Sequence, residues 1–220
     1  MKLYAENISK EYFRHKRSIT ALQPTGFEAP DGGLTVILGR SGSGKTTLLN
    51  ILAGLLTPGG GNVEYNDTDI YKLSDRELSD FRNRHIGYIP QGHSLVGSLT
   101  VEENILLPAA LSGSDRTERA HTLLTELGLG ELANAYPKEL SGGELRRAAI
   151  ARALINSPEV IFADEPTNDL DDENTRVIFE LLKNLAGEGH TVIAVTHEPS
   201  AAEYADRVYR MDQGRLTGTE

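Results

Sequence analysis

A short apolar run, Leu34 to Leu38, leads directly into Gly39-Arg40-Ser41-Gly42-Ser43-Gly44-Lys45-Thr46. After Lys45 the apolar positions Leu48, Leu49, Ile51, Leu52, Leu55 and Leu56 recur with a helical period. A strand, a glycine loop and a helix in this order fit the phosphate-binding pattern of glycine, four residues, glycine, lysine and serine or threonine. Glycines let the backbone wrap an anion closely. The N–H groups of Ser43 to Thr46 would then sit at a helix N-terminus carrying about half a positive charge. Lys45 is placed to reach the β- and γ-phosphates of a nucleotide, the Thr46 hydroxyl to ligate Mg²⁺, and Thr47 beside it to contact the nucleotide.

The remaining elements follow from pattern and punctuation. Leu3 to Ile8 and Ile19 to Phe27 read as strands joined by the basic stretch Arg14-His15-Lys16-Arg17, an N-terminal antiparallel β portion. Pro58 and Gly59-Gly60-Gly61 stop the first helix, and Val63 to Tyr65 reads as a short strand. Ser74 to Glu77, Thr100 to Glu103 and Asp115 to Glu118 match or approximate capping boxes. Ile86 to Ile89 reads as a strand leading to Gln91. Strand Val160 to Ala163, a helix around Val177 to Leu185 and strand Thr191 to Val195 complete the alternation. The expected fold is α/β: a mainly parallel sheet with helices on both faces. Residues 1–91 and 158–220 form its core, and about 92–157 an inserted helical subdomain.

Two further segments carry chemistry. Asp164 and Glu165 end an apolar strand, where open α/β sheets place their ligands. Asp164 is a direct or second-shell Mg²⁺ partner, and Glu165 would polarise or position an attacking water. Pro166 turns the chain away. Leu140-Ser141-Gly142-Gly143-Glu144 is a second glycine-rich loop opening a helix. Ser141 and Glu144 form a capping box, and a small, glycine-lined helix N-terminus is also an anion site. One nucleotide does not need two such loops from one chain; two copies sharing two nucleotides would.

Composition narrows the setting. The chain has 220 residues, a formal charge of −10 and no cysteine. The acidic balance opposes a nucleic-acid partner held on a basic surface. Disulfides and Cys-ligated metals are excluded, which fits a cytosolic address. No apolar run approaches the ~20 residues that span a bilayer, so service to a membrane would need a partner.

In this order, the segments make the chain resemble the nucleotide-binding subunit of an ATP-binding-cassette (ABC) transporter over nearly its whole length. The resemblance implies that Ser141, Gly142, Gly143 and Glu144 form the signature motif, which contacts the γ-phosphate held by the other protomer. The family usually has glutamine at the position of Glu144. Gln91 resembles the glutamine loop, which touches Mg²⁺ or the lytic water and borders the permease contact. Asn168-Asp169-Leu170-Asp171 resembles the dimer-interface aspartate loop, whose second residue is more often small. His197 resembles the switch histidine, and Tyr12 the aromatic that stacks on adenine, with Phe13 adjacent as the other ring able to do so.

The implied protein is an ATPase binding ATP and Mg²⁺ as a head-to-tail homodimer. It would lie on the inner face of the membrane and drive a separate integral-membrane permease through the surface near Gln91 to Leu111. Within His93 to Leu99, the apolar Leu95, Val96 and Leu99 either meet that permease or cover the helical subdomain. The stretch Val101 to Pro108 and the single-domain length are most similar to the group of lipoprotein-releasing, macrolide-exporting and antimicrobial-peptide-resistance ATPases. Two other readings stand beside it. One is a nucleotide-gated interaction module without transport, as in the cell-division relative. The other is a soluble cassette acting on nucleic acid or ribosomes, which the acidic balance and the single cassette oppose.

Overall fold

The computed structural model describes all residues except 15, 16, 93 and 220. His15 and Lys16 of the basic stretch, and His93, therefore lie outside the described residues. A six-stranded sheet forms the centre. It holds β3 (Gly33–Gly39), β6 (Ile86–Ile89), β7 (Val160–Asp164), β8 (Thr191–Thr196), β9 (Arg207–Asp212) and β10 (Arg215–Thr219) in the order β10-β9-β3-β8-β7-β6. All neighbours pair parallel except β9 and β10. A four-stranded antiparallel sheet, β2-β1-β4-β5, is built from β1 (Leu3–Arg14), β2 (Arg17–Ala29), β4 (Gly60–Tyr65) and β5 (Thr68–Asp69).

The central strands are buried on both faces, and their side chains alternate between two cores. Leu34, Val36, Ile161, Ala163, Val192 and Ala194 point to one. Ile37, Val160, Phe162, Ile193 and Val195 point to the other. This two-sided burial is why β3, β7 and β8 read as continuous apolar runs rather than alternating ones. Helix α1 (Lys45–Leu52) and the antiparallel sheet cover the second face. The first face carries α6 (Asp172–Gly187) together with α3 (Val101–Leu111), α4 (Thr117–Glu126) and α5 (Gly142–Leu154), all in one apolar cluster. Helix α2 (Asp75–His85) precedes β6.

Several expectations change in detail. Helix α1 ends at Leu52, so Leu55 and Leu56 fall outside it. Gly54 adopts φ 66 and the N–H groups of both leucines fold back to the Asn50 carbonyl, leaving Leu55 half exposed. The glycines after Pro58 do not merely stop the helix: β4 begins at Gly60. Strands β1 and β2 run beyond their apolar cores to Arg14 and from Arg17, because backbone pairing carries the hairpin past the last buried residue. Asp115 accepts from Thr117 N and Oγ1, and α4 starts at Thr117, so this near-box is a local turn.

Candidate nucleotide site

The glycine loop joins β3 to α1, at the carboxyl edge of the parallel sheet. Gly44 is its tightest point. It sits at φ 107, and a Cβ there would meet the Ala21 carbonyl at 2.3 Å, so only glycine fits between loop and β2. The Ser43 hydroxyl is buried with no hydrogen-bond partner among the described residues. Lys45 is 5% exposed, and its Nζ donates to the carbonyls of Gly39 (2.8 Å) and Arg40 (3.1 Å). Loop carbonyls thus hold the ammonium at the mouth of the anion cradle.

The carboxylates at the end of β7 close on this loop. The Thr46 hydroxyl donates to Asp164 Oδ1 at 3.1 Å. Burial pushes the Asp164 carboxyl above its ordinary pKa and Glu165 adds to the rise, while the Thr46 hydrogen bond and Lys45 oppose it. Glu165 bridges two partners. Its Oε1 lies 3.1 Å from Lys45 Nζ. Its Oε2 accepts the His197 backbone N–H at 3.2 Å and lies 2.9 Å from His197 Nδ1. Glu165 itself is in the left-handed region at φ 46, a conformation that costs a non-glycine residue of order 1 kcal/mol or more. Its N–H donates to the Val195 carbonyl, so the neighbouring strand holds the strained residue in place.

A cleft of about 910 Å³ opens over these groups, lined by Gly39, Arg40, Ser41, Gln91, Glu165, Asn168 and His197. Its far wall, Arg210 to Gln213, comes from the end of β9. Pattern reasoning does not find that wall. β9 buries only Met211, and it reaches the loop because Gly39 pairs with Met211 across the sheet.

The other candidates lie elsewhere. Tyr12 and Phe13 are exposed on β1 (42% and 81%), on the hairpin whose Ala21 carbonyl abuts Gly44, and neither lines the cleft. Ser141, Gly142, Gly143 and Glu144 do not line it either; Gly142 borders a separate crevice with Gly92, Arg146 and Asp169. The capping box forms as expected. Ser141 N and Oγ both donate to Glu144 Oε2, at 2.7 and 2.8 Å, and Glu144 N donates to Ser141 Oγ at 3.4 Å. These bonds hold the Glu144 carboxyl below its ordinary pKa. Gly143 has a local reason of its own: a Cβ there would meet Asn174 Oδ1 at 2.4 Å.

Sequence reasoning also passes over Arg146, Arg152 and Asn104. Arg146 Nη1 donates to the Pro90 carbonyl at 3.0 Å. Arg152 donates to Ser94 O and Oγ, both at 2.8 Å. Buried Asn104 bonds the backbone of Val96, Leu99 and Thr100. Together they hold Pro90, Ser94, Val96, Leu99 and Thr100 on either side of the turn after β6, and nothing in the spacing of these residues announces it.

The donor chemistry fits Mg²⁺ carried by a triphosphate. No group of three or more His, Cys, Asp or Glu side chains suited to a metal occurs among the described residues. One hydroxyl and one carboxylate, Thr46 and Asp164, meet at the loop. Mg²⁺ is commonly held by one or two such oxygens plus substrate phosphates.

The chain is similar to known proteins along nearly its whole length. The profile of the ABC transporter family matches residues 22–168. The lipoprotein-releasing system ATP-binding protein LolD of Syntrophotalea carbinolica is 42% identical over 216 residues, covering 96% of this chain and 95% of that protein. The macrolide export ATP-binding/permease protein MacB of Psychrobacter arcticus is 37% identical over 97% of this chain, which spans 33% of that longer protein. The dimeric structure of a post-hydrolysis state of an ATP-binding cassette bound to ADP and Pi superposes with a TM-score of 0.90, at 36% identity and 99% coverage of both chains. With a family match over residues 22–168 and likeness of this breadth in sequence and fold, the chain belongs to the ABC transporter family, as an ATP-binding cassette ATPase of the lipoprotein-releasing and macrolide-export group.

Proposed function

We propose that two copies of this chain close head to tail over two ATP molecules, each bound by the glycine loop of one copy and the Ser141–Glu144 loop of the other. One observation carries the reading: within a single chain, the second glycine loop does not border the cleft lined by Gly39 to Ser41, Glu165 and His197. A two-fold arrangement would bring the second loop of each copy to the cleft of its partner and make the sites equivalent.

In this reading the contacts of Lys45 are exchanged on binding. Its ammonium leaves Glu165 and the loop carbonyls for the phosphates, joined by the N–H groups at the start of α1 and the Ser43 hydroxyl. Glu165, released from the ion pair, accepts a proton from the attacking water, while His197 keeps its other oxygen oriented. Mg²⁺ would be held by Thr46 and Asp164, with Gln91 at the cleft wall, and would neutralise charge on the β- and γ-oxygens. Tyr12, or Phe13 beside it, would stack on the adenine. The division into a core (1–91 and 158–220) and a helical unit (about 92–157) belongs to the same proposal, since closure needs one part to move against the other.

The work would be delivered to a separate integral-membrane permease, with the cassette held peripherally on the inner face of the cell membrane. No helix among the described residues is long and apolar enough to cross a bilayer. A groove of about 310 Å³ between the end of α1, helix α2 and the end of α3 supports this reading. Leu55 and Leu111 line it and are 52% and 79% exposed. The Glu165→Gln variant tests the chemistry. It should bind ATP, accumulate as an ATP-bound dimer in size-exclusion chromatography, and lose at least about 100-fold in phosphate release. Native turnover in that variant would remove Glu165 from the mechanism.

A further inference from the structure

Three segments far apart in the chain meet around one buried cation. Arg146, in the second turn of α5, is 5% exposed. It holds the carbonyl of Pro90, the residue directly before Gln91. The same side chain lines a crevice of about 30 Å³ with Gly92 and Ser94 on one side, Gly142 on the second, and Asn168 to Leu170 on the third. Asp169 sits at φ 65 and accepts from Asn168 Nδ2 at 2.6 Å. Burial lowers the Arg146 pKa from its ordinary value, and the Asp169 carboxylate opposes that shift.

A buried guanidinium is a poor way to fill space. Desolvating it is costly, and an apolar side chain of similar volume stabilises a fold as well or better. What it supplies is direction: a planar donor fixes the carbonyl it holds. We propose that Arg146 is a positioning residue, which sets where Gln91 enters the cleft and ties that setting to the helix opened by Ser141 and to the Asn168–Leu170 loop. The proposal rests on the reading of Gln91 as the residue that contacts Mg²⁺ or the lytic water. Arg152 holds Ser94 two turns further along α5, but Arg146 is the tie at the end of the helix that carries the second glycine loop. A movement of that loop is thereby passed to Gln91. Arg146 lines none of the cleft, so it acts on the hydrolytic step and not on nucleotide binding.

The test is steady-state ATPase kinetics on the full chain, with Arg146→Met, Arg146→Lys, Gln91→Ala and the Arg146→Met/Gln91→Ala double variant. Arg146→Met should lower kcat about tenfold and leave the KM for ATP within about twofold. Arg146→Lys keeps a donor for the Pro90 carbonyl and should recover most of the loss. In the Gln91→Ala background, Arg146→Met should cost nothing further, because the two act through one path. An equal kcat loss in both backgrounds, or a raised KM with native kcat, overturns the proposal. Amide exchange at Gly92, Ser94 and Leu95 gives a second readout. It should quicken in Arg146→Met and stay native in Gln91→Ala, and unchanged exchange in Arg146→Met also overturns the proposal. Native kcat in Gln91→Ala alone would instead refute the reading of Gln91 beneath it. If Arg146→Met does not fold, Arg146→Gln carries the same cycle.

Discussion

Asp164 shows how a single residue is shared between stability and chemistry. The residue is 3% exposed and its carboxyl pKa is raised, chiefly by burial. A carboxylate raised on folding favours the fold only at low pH, and the contribution is lost as pH rises through the folded value. At neutral pH the ionised group is therefore a cost to the free protein. Asp164→Asn keeps an acceptor for the Thr46 hydroxyl and removes the charge. In nucleotide-free thermal melts at pH 7 it should unfold at a higher temperature than the native chain, and the gap should close toward the ordinary carboxylate range, about pH 4. Hydrolysis should fall at least about 100-fold, since the metal would lose its anionic ligand. Residues of this kind were legible because covalent neighbours define them: Lys45 and Thr46 follow the glycines, and Asp164 and Glu165 follow the strand. The Arg146–Pro90 bond was not legible, because it joins positions 56 apart and leaves no periodic trace.

At the level of elements, local rules worked where side chain and backbone satisfy each other within one turn. Ser74 with Glu77, Thr100 with Glu103, and Ser141 with Glu144 all form reciprocal capping boxes. They failed where pairing partners decide. Strand β9 has too few buried residues to read as a strand, yet it is hydrogen-bonded along β3. The helical period runs on through Leu55 and Leu56, but α1 ends at Leu52 because Gly54 redirects the chain. Glu144 supplies the prediction at this scale. Its pKa is depressed by the Ser141 bonds, so its contribution to α5 is present above the ordinary glutamate range and is lost as pH falls through the folded value. Glu144→Gln keeps the box without the charge. Any stability advantage of the native chain at pH 7 should therefore vanish in acid. ATP-driven dimerisation of Glu144→Gln should be several-fold tighter than native in equilibrium sedimentation, because a carboxylate beside the partner's phosphate is removed.

For the whole molecule, one apolar cluster joins α3, α4 and α5 to the central sheet, so a shift of α5 would be felt at β7, the strand that ends at Asp164 and leads into Glu165. The central claim is that the reaction centre is completed only by a second copy. A chain without cysteine makes that claim directly measurable, since any thiol cross-link reports introduced residues alone. The measurement uses Ser41→Cys and Ser141→Cys together in the Glu165→Gln background, treated with a short bifunctional thiol reagent and resolved by denaturing electrophoresis. The account predicts a covalent dimer that forms with ATP and Mg²⁺ and disappears when Lys45→Ala is added. Cross-linking confined within single chains, or a dimer band indifferent to nucleotide, would contradict it.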